Sequence, residues 1–153
     1  SIHAARRGAH VTTTDGSFRS LALARENAEM NLPPETFWNR MSFRRVDFEE
    51  AQSATEVAAH GLSPPYPLVF CSGLMYIPID AFRALLRLLT LVRDENSEVF
   101  WCSGMVNDDV QRRWQLILAE FLVTEKVDPH AAGYTAHRPE SYFLYRLRRG
   151  AQP

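Results

Sequence analysis

The chain has 153 residues, 46% of them hydrophobic, with 17 Lys+Arg against 18 Asp+Glu and a formal charge of −1. That is enough apolar material for a substantial core, while the near-neutral balance gives no long-range field for a phosphate backbone, so nucleic-acid binding is not expected. No apolar run reaches the roughly 18 residues that span a bilayer.

Cys71 and Cys102 lie in apolar segments at neither metal nor disulfide spacing, as expected of two buried thiols in a reducing intracellular compartment, cytoplasmic or alternatively mitochondrial. No repeat appears, and Pro33-Pro34 and Pro64-Pro65 punctuate the chain without a change of composition. Residues 1–150 are therefore expected to form one domain, with 151–153 as a tail.

In chain order, Ala4 to Arg7 reads as the end of a helix stopped by Gly8, in preference to the tail of a processed transit peptide. The β-branched run from Ala9 to Asp15 reads as a strand, Gly16-Ser17 as a turn, and Phe18 to Asn31 as a capped helix. Met41 to Phe48 is a second strand, and Glu49 to His60 favours a helix or ordered loop ending at Gly61. Leu68-Val69-Phe70-Cys71 is apolar without alternation, the pattern of a strand covered on both faces. Phe82, Leu85, Leu86, Leu89 and Val92 recur at helical spacing after Asp80, a candidate N-cap. Glu98 to Ser103 is another buried strand; Val110, Trp114, Ile117, Leu118 and Phe121 form a second stripe after Asp108. Val123 to Val127 and Ser141 to Arg149 follow without a helix between them and are expected to pair antiparallel. Strands alternating with helices and closed by such a pair define a doubly wound, Rossmann-like α/β sheet, mostly parallel.

The segment Arg7 to Asp15, continuing through Leu21 to Asn31 with Asn27 and Asn31, resembles the second strand and following helix of the seven-strand class I S-adenosylmethionine-dependent methyltransferases. Val46-Asp47-Phe48 is similar to that family's Leu-Asp-Trp after the third strand. Tyr66 to Tyr76 is placed like the fourth strand and signature of its DxxY protein-lysine methyltransferase branch. In a doubly wound sheet, ligands sit beyond the carboxyl ends of the strands. Asp15 ends a strand there and can accept hydrogen bonds from two ribose hydroxyls, or else serve as a helix N-cap or Asx turn before Gly16; both readings stand. The resemblance implies S-adenosylmethionine as cofactor, with Asp47 accepting from the adenine amine, Phe48 packing on the base and Ser72 beside the cofactor. It also implies that Tyr76 positions the amine of a protein substrate. The alternatives are a solvated strand-end carboxylate for Asp47, a core ring for Phe48 and a packing aromatic for Tyr76.

Two departures accompany the likeness. Gly73 stands where DxxY has its acid, and Ser72 beside it has no charge to face an ammonium. The family's first strand and glycine-rich turn have no counterpart before Ala4. In the implied topology that strand lies between those ending at Asp15 and Ser72, so residues upstream of Ser1 or a partner chain are expected to supply it.

His3, His10, His60, His130 and His137 show no ligand spacing, and no metal is expected. Arg146, Arg148 and Arg149 beside Tyr142 and Tyr145 read as the basic end of a strand rather than an RNA contact. Ser72-Gly73 and Ser103-Gly104 lack a GxSxG turn. Two functions remain: methyl transfer to a protein lysine, or a catalytically inactive methyltransferase-like structural subunit of a larger protein or ribonucleoprotein assembly.

Overall fold

A computed structural model describes residues 1–104, 108–127 and 142–149, and the chain divides into two compact units, Ser1–Leu62 and Ser63–Pro153. The first unit contains α1 (Ile2–Arg6), β1 (Val11–Asp15), α2 (Phe18–Asn31), α3 (Pro34–Arg40), β2 (Met41–Arg45) and α4 (Ala54–Ala59). The second contains β3 (Leu68–Ser72), α5 (Ile79–Val92), β4 (Glu98–Gly104), α6 (Asp108–Glu120), β5 (Phe121–Val127) and β6 (Tyr142–Arg149).

In the first unit β1 and β2 pair in parallel, from Val11 opposite Met41 to Asp15 opposite Arg45. Gly8 takes a φ of 90°, which lets the chain leave α1 and enter β1. Ser17 caps α2 by accepting from the Ser20 amide at 3.3 Å, and the helix ends before Pro33. Pro34 does not merely punctuate: it occupies the first turn of α3, where its missing N–H costs nothing. Ala5, Ala28, Leu32 and Phe37 form a core, flanked by Ile2, Val11, Met41 and Phe43. The second strand is shorter than its sequence suggests. It stops at Arg45 because the Glu49 amide donates to Asp47 Oδ1 at 3.0 Å, turning the chain away from the ladder. Ser53 caps α4, and Glu56 Oε2 reaches back to the Gln52 amide at 3.0 Å and the Ser53 hydroxyl at 2.9 Å. Those hydrogen bonds, the Ser53 side chain foremost, lower the Glu56 pKa.

The second unit has strand order β3-β4-β6-β5, with β3 parallel to β4 and the remaining pairs antiparallel, as expected for the terminal strands. Phe82, Leu85, Leu86, Leu89 and Val92 of α5 are all buried. Phe82 packs edge-on against Trp101 of β4 at 5.7 Å, and Trp114 of α6 lies 6.5 Å from Trp101 and 4.3 Å from Tyr145. These contacts place the helices over the sheet face that carries Val99, Trp101 and Leu147, all fully buried. Burial pushes the Tyr145 hydroxyl above its ordinary pKa and the Cys71 thiol up to about 12.

Four expectations are corrected here. The strand at Leu68–Cys71 is covered on one face only: Leu68 is 44% and Phe70 66% exposed, because α5 and α6 both lie on the other side. The N-cap of α5 is Pro78, whose fixed φ starts the helix early; Asp80 falls in its first turn, 3.3 Å from Arg83. Phe121 opens β5 rather than closing the apolar stripe of α6. Cys71 is buried as expected, but Cys102, on the less covered sheet face, is half-buried. The alternation of strands and helices, the parallel pairs and the antiparallel end give an α/β, Rossmann-like architecture. Among the described residues β1 pairs only with β2, and β3 only with β4.

Candidate cofactor-binding site

The carboxyl ends of β1 and β2 bring Asp15 and Asp47 onto neighbouring turns. Asp15 Oδ1 accepts from the Ser17 amide at 2.8 Å, so the Asx turn exists; its Oδ2 has no hydrogen bond among the described residues, and the side chain is exposed. One carboxylate can therefore hold the turn with one oxygen and present the other to a ligand. The turn and ribose readings are compatible. Asp47 is arranged in the same way, with Oδ1 on the Glu49 amide and Oδ2 3.8 Å from an Arg45 nitrogen. Phe48 beside it is half-buried, and its carbonyl accepts from the Gln52 side chain.

Arg45, which the sequence did not single out, joins the two turns. Its Nε donates to the Gly16 carbonyl at 3.1 Å, its Nη1 to Glu50 Oε2 at 3.4 Å, and its guanidinium lies 5.4 Å from the centre of the Phe18 ring. The signal available in the sequence was the basic strand end Arg44-Arg45 running into Asp47, Glu49 and Glu50.

The second unit carries the other predicted residues. Ser72 ends β3 on the surface, and Gly73 follows with a φ of 70° and nothing within 4 Å of where a Cβ would stand. Met75 is buried and anchors this loop, leaving the neighbouring Tyr76 side chain 64% exposed. Arg113 of α6 donates to the Ile77 carbonyl at 2.5 Å while lying 5.3 Å from the Phe82 ring, which fixes the end of the loop. Ser72 and Tyr76 thus share one connection, β3 to α5, and Asp15, Asp47 and Phe48 share the turns beyond β1 and β2. Among the described residues no group of three or more His, Cys, Asp or Glu is placed to hold a metal, and no helix is long and apolar enough to cross a membrane.

No protein-family model matches the chain, and no curated protein matches it. Solved structures do. A TehB-like SAM-dependent methyltransferase from Corynebacterium glutamicum superposes with a TM-score of 0.64 at 9% identity, over 97% of this chain and 72% of that one. The glycopeptide N-methyltransferase MtfA in complex with S-adenosyl-L-methionine gives 0.69 at 12% identity, over 96% and 75%. The N-methyltransferase NodS from Bradyrhizobium japonicum gives 0.59 at 14% identity, over 92% and 73%. At these identities the likeness is one of fold. The chain is built on the class I fold of the S-adenosylmethionine-dependent methyltransferases.

Proposed function

We propose that the protein binds S-adenosylmethionine and transfers its methyl group to a protein lysine. The observation that carries this reading is the carboxylate of Asp15, at the end of a parallel strand, with one oxygen committed to its turn and the other open. That set of acceptors fits a nucleoside: Asp15 accepts from the ribose hydroxyls, Asp47 from the adenine amine, and Phe48 offers a ring to the base. The cofactor supplies a methyl group already activated on a sulfonium sulfur. The protein therefore has to orient a neutral amine and exclude water. Tyr76, exposed beyond β3 with Ser72 on the same connection, is the residue assigned to the incoming lysine, through its hydroxyl and ring. Incubation with S-adenosylmethionine and lysine-containing proteins, read by mass spectrometry, tests this. Methylated lysine that disappears in Asp15→Ala supports the reading, and its absence with every acceptor opposes it.

A second reading, a methyltransferase-like subunit without catalysis, is favoured by Gly73 in the place of the signature acid. It is also favoured by the one-sided pairing of β1 and β3 and by the bare Leu68 and Phe70. Under it, a partner chain supplies a strand to these edges and covers the apolar side chains. Cofactor binding without transfer, together with co-purification in a defined complex, distinguishes it from the first.

A further inference from the structure

We infer that Arg45 is a positioning residue that sets the spacing of the two carboxylate turns at the nucleoside end of the site; this rests on the cofactor reading above. The guanidinium is a planar fork of five donors, and here its branches serve both turns at once. Nε holds the Gly16 carbonyl of the first turn at 3.1 Å, while Nη1 and Nη2 face Glu50 at 3.4 Å and Asp47 at 3.8 Å on the second. Phe18, the residue that opens α2, lies under the guanidinium at 5.4 Å although its ring is 73% exposed. The attraction between ring and cation favours the arginine rotamers that keep the two in contact.

These contacts add little to folding. The Arg45 side chain is 35% exposed, and ion pairs in that setting contribute only slightly to stability. The backbone links survive loss of the side chain: the Val46 amide donates to the Asp15 carbonyl at 3.1 Å, and His60 Nδ1 lies 3.1 Å from the Arg45 carbonyl. What the side chain governs is the relative placement of the loops that carry Asp15 and Asp47. Binding groups must be held to within about 0.5 Å to act together, which two exposed turns do not achieve alone. The positive charge also faces both carboxylates of the second turn, Asp47 and Glu50, and so offsets their mutual repulsion.

The test is calorimetric titration of S-adenosylhomocysteine into the full chain, the Arg45→Met, Asp15→Asn and Phe18→Ala variants, and the Arg45→Met/Asp15→Asn pair. Arg45→Met is expected to weaken binding about tenfold with its melting temperature within a few degrees of wild type. The double variant is expected to be less than about threefold weaker than Asp15→Asn alone, because the arginine acts through the turn that Asp15 occupies. Phe18→Ala, at a position too exposed to threaten folding, is expected to lose about threefold. Unchanged affinity in Arg45→Met and Phe18→Ala, or single losses that multiply in the double variant, would overturn the role of Arg45 and leave the cofactor reading intact. Absence of binding by the wild-type chain would remove the cofactor reading and this role with it.

Discussion

Replacing Asp15 in two ways separates its two duties. The Asx bond from the Ser17 amide, at 2.8 Å on the surface, contributes about 1 kcal/mol. Asparagine retains an oxygen for that bond, so Asp15→Asn keeps the turn and gives up only a charge near the N-terminus of α2, worth a few tenths of a kcal/mol. Asp15→Ala loses the bond as well, and at this chain length about 1 kcal/mol corresponds to roughly 2–4 °C in melting temperature. Binding follows a different order. On the proposed reading the second oxygen accepts from a ribose hydroxyl, and a charge-assisted hydrogen bond of about 1.5–3 kcal/mol corresponds to roughly 10–100-fold in affinity. Asp15→Asn is therefore expected to melt like the wild type yet bind S-adenosylhomocysteine at least about tenfold more weakly, by differential scanning fluorimetry and calorimetry on the same samples. An Asp15→Asn variant that melts as low as Asp15→Ala and binds as tightly as the wild type would refute the reasoning, leaving Asp15 a turn residue alone.

Further outcomes follow from the second unit. Gly73→Asp places an acid in open space but at a φ of 70°, so it is expected to lower stability by about 1 kcal/mol and, if the proposed lysine reading holds, to raise lysine methylation in mass-spectrometric assays. Phe82, with no exposed surface and its ring against Trp101, is expected to cost about 3–5 kcal/mol as Phe82→Ala. Phe70→Ser, on the bare face, is expected to change urea stability by less than about 1 kcal/mol. The Cys71 thiol is held protonated up to about 12, against an ordinary value of 9.0. Its contribution is complete below the unfolded-state pKa and is lost as pH rises between the two values, by about 1.4 kcal/mol per pH unit. Urea denaturation between pH 8 and pH 11 is expected to show this decline, with a shallower slope in Cys71→Ala; equal slopes would contradict the burial argument.

The sequence made some elements plain because their ends are chemical. Ser17 and the prolines after Leu32 bracket α2 at the residues expected, and the apolar stripe of α5 is buried as its spacing implies. Other features depend on contacts between distant segments. A doubled proline can break a chain or begin a helix, and whether Pro34 does the latter is decided by Phe37 entering the core beside Ala5 and Ala28. The run Leu68 to Cys71 is uniformly apolar, yet only Cys71 is buried, since hydrophobicity records what a strand tolerates on each face and not what covers it. The acids of the candidate site were legible from their positions at strand ends. For Arg45 the sequence offers only its place in a basic strand end before three acids; its link between the turns was not legible, because its partner Gly16 is 29 residues away and becomes a neighbour only through the parallel register that sets Asp15 opposite Arg45.

Amide chemical-shift mapping with S-adenosylhomocysteine locates the ligand on the chain itself. Saturable shifts concentrated at Gly16, Ser17 and Phe18 and at Asp47, Phe48 and Glu49 are the expected result, since these amides surround the two carboxylate turns. A titration that leaves those amides unmoved at millimolar ligand would contradict the assignment of a nucleoside site to this end of the fold.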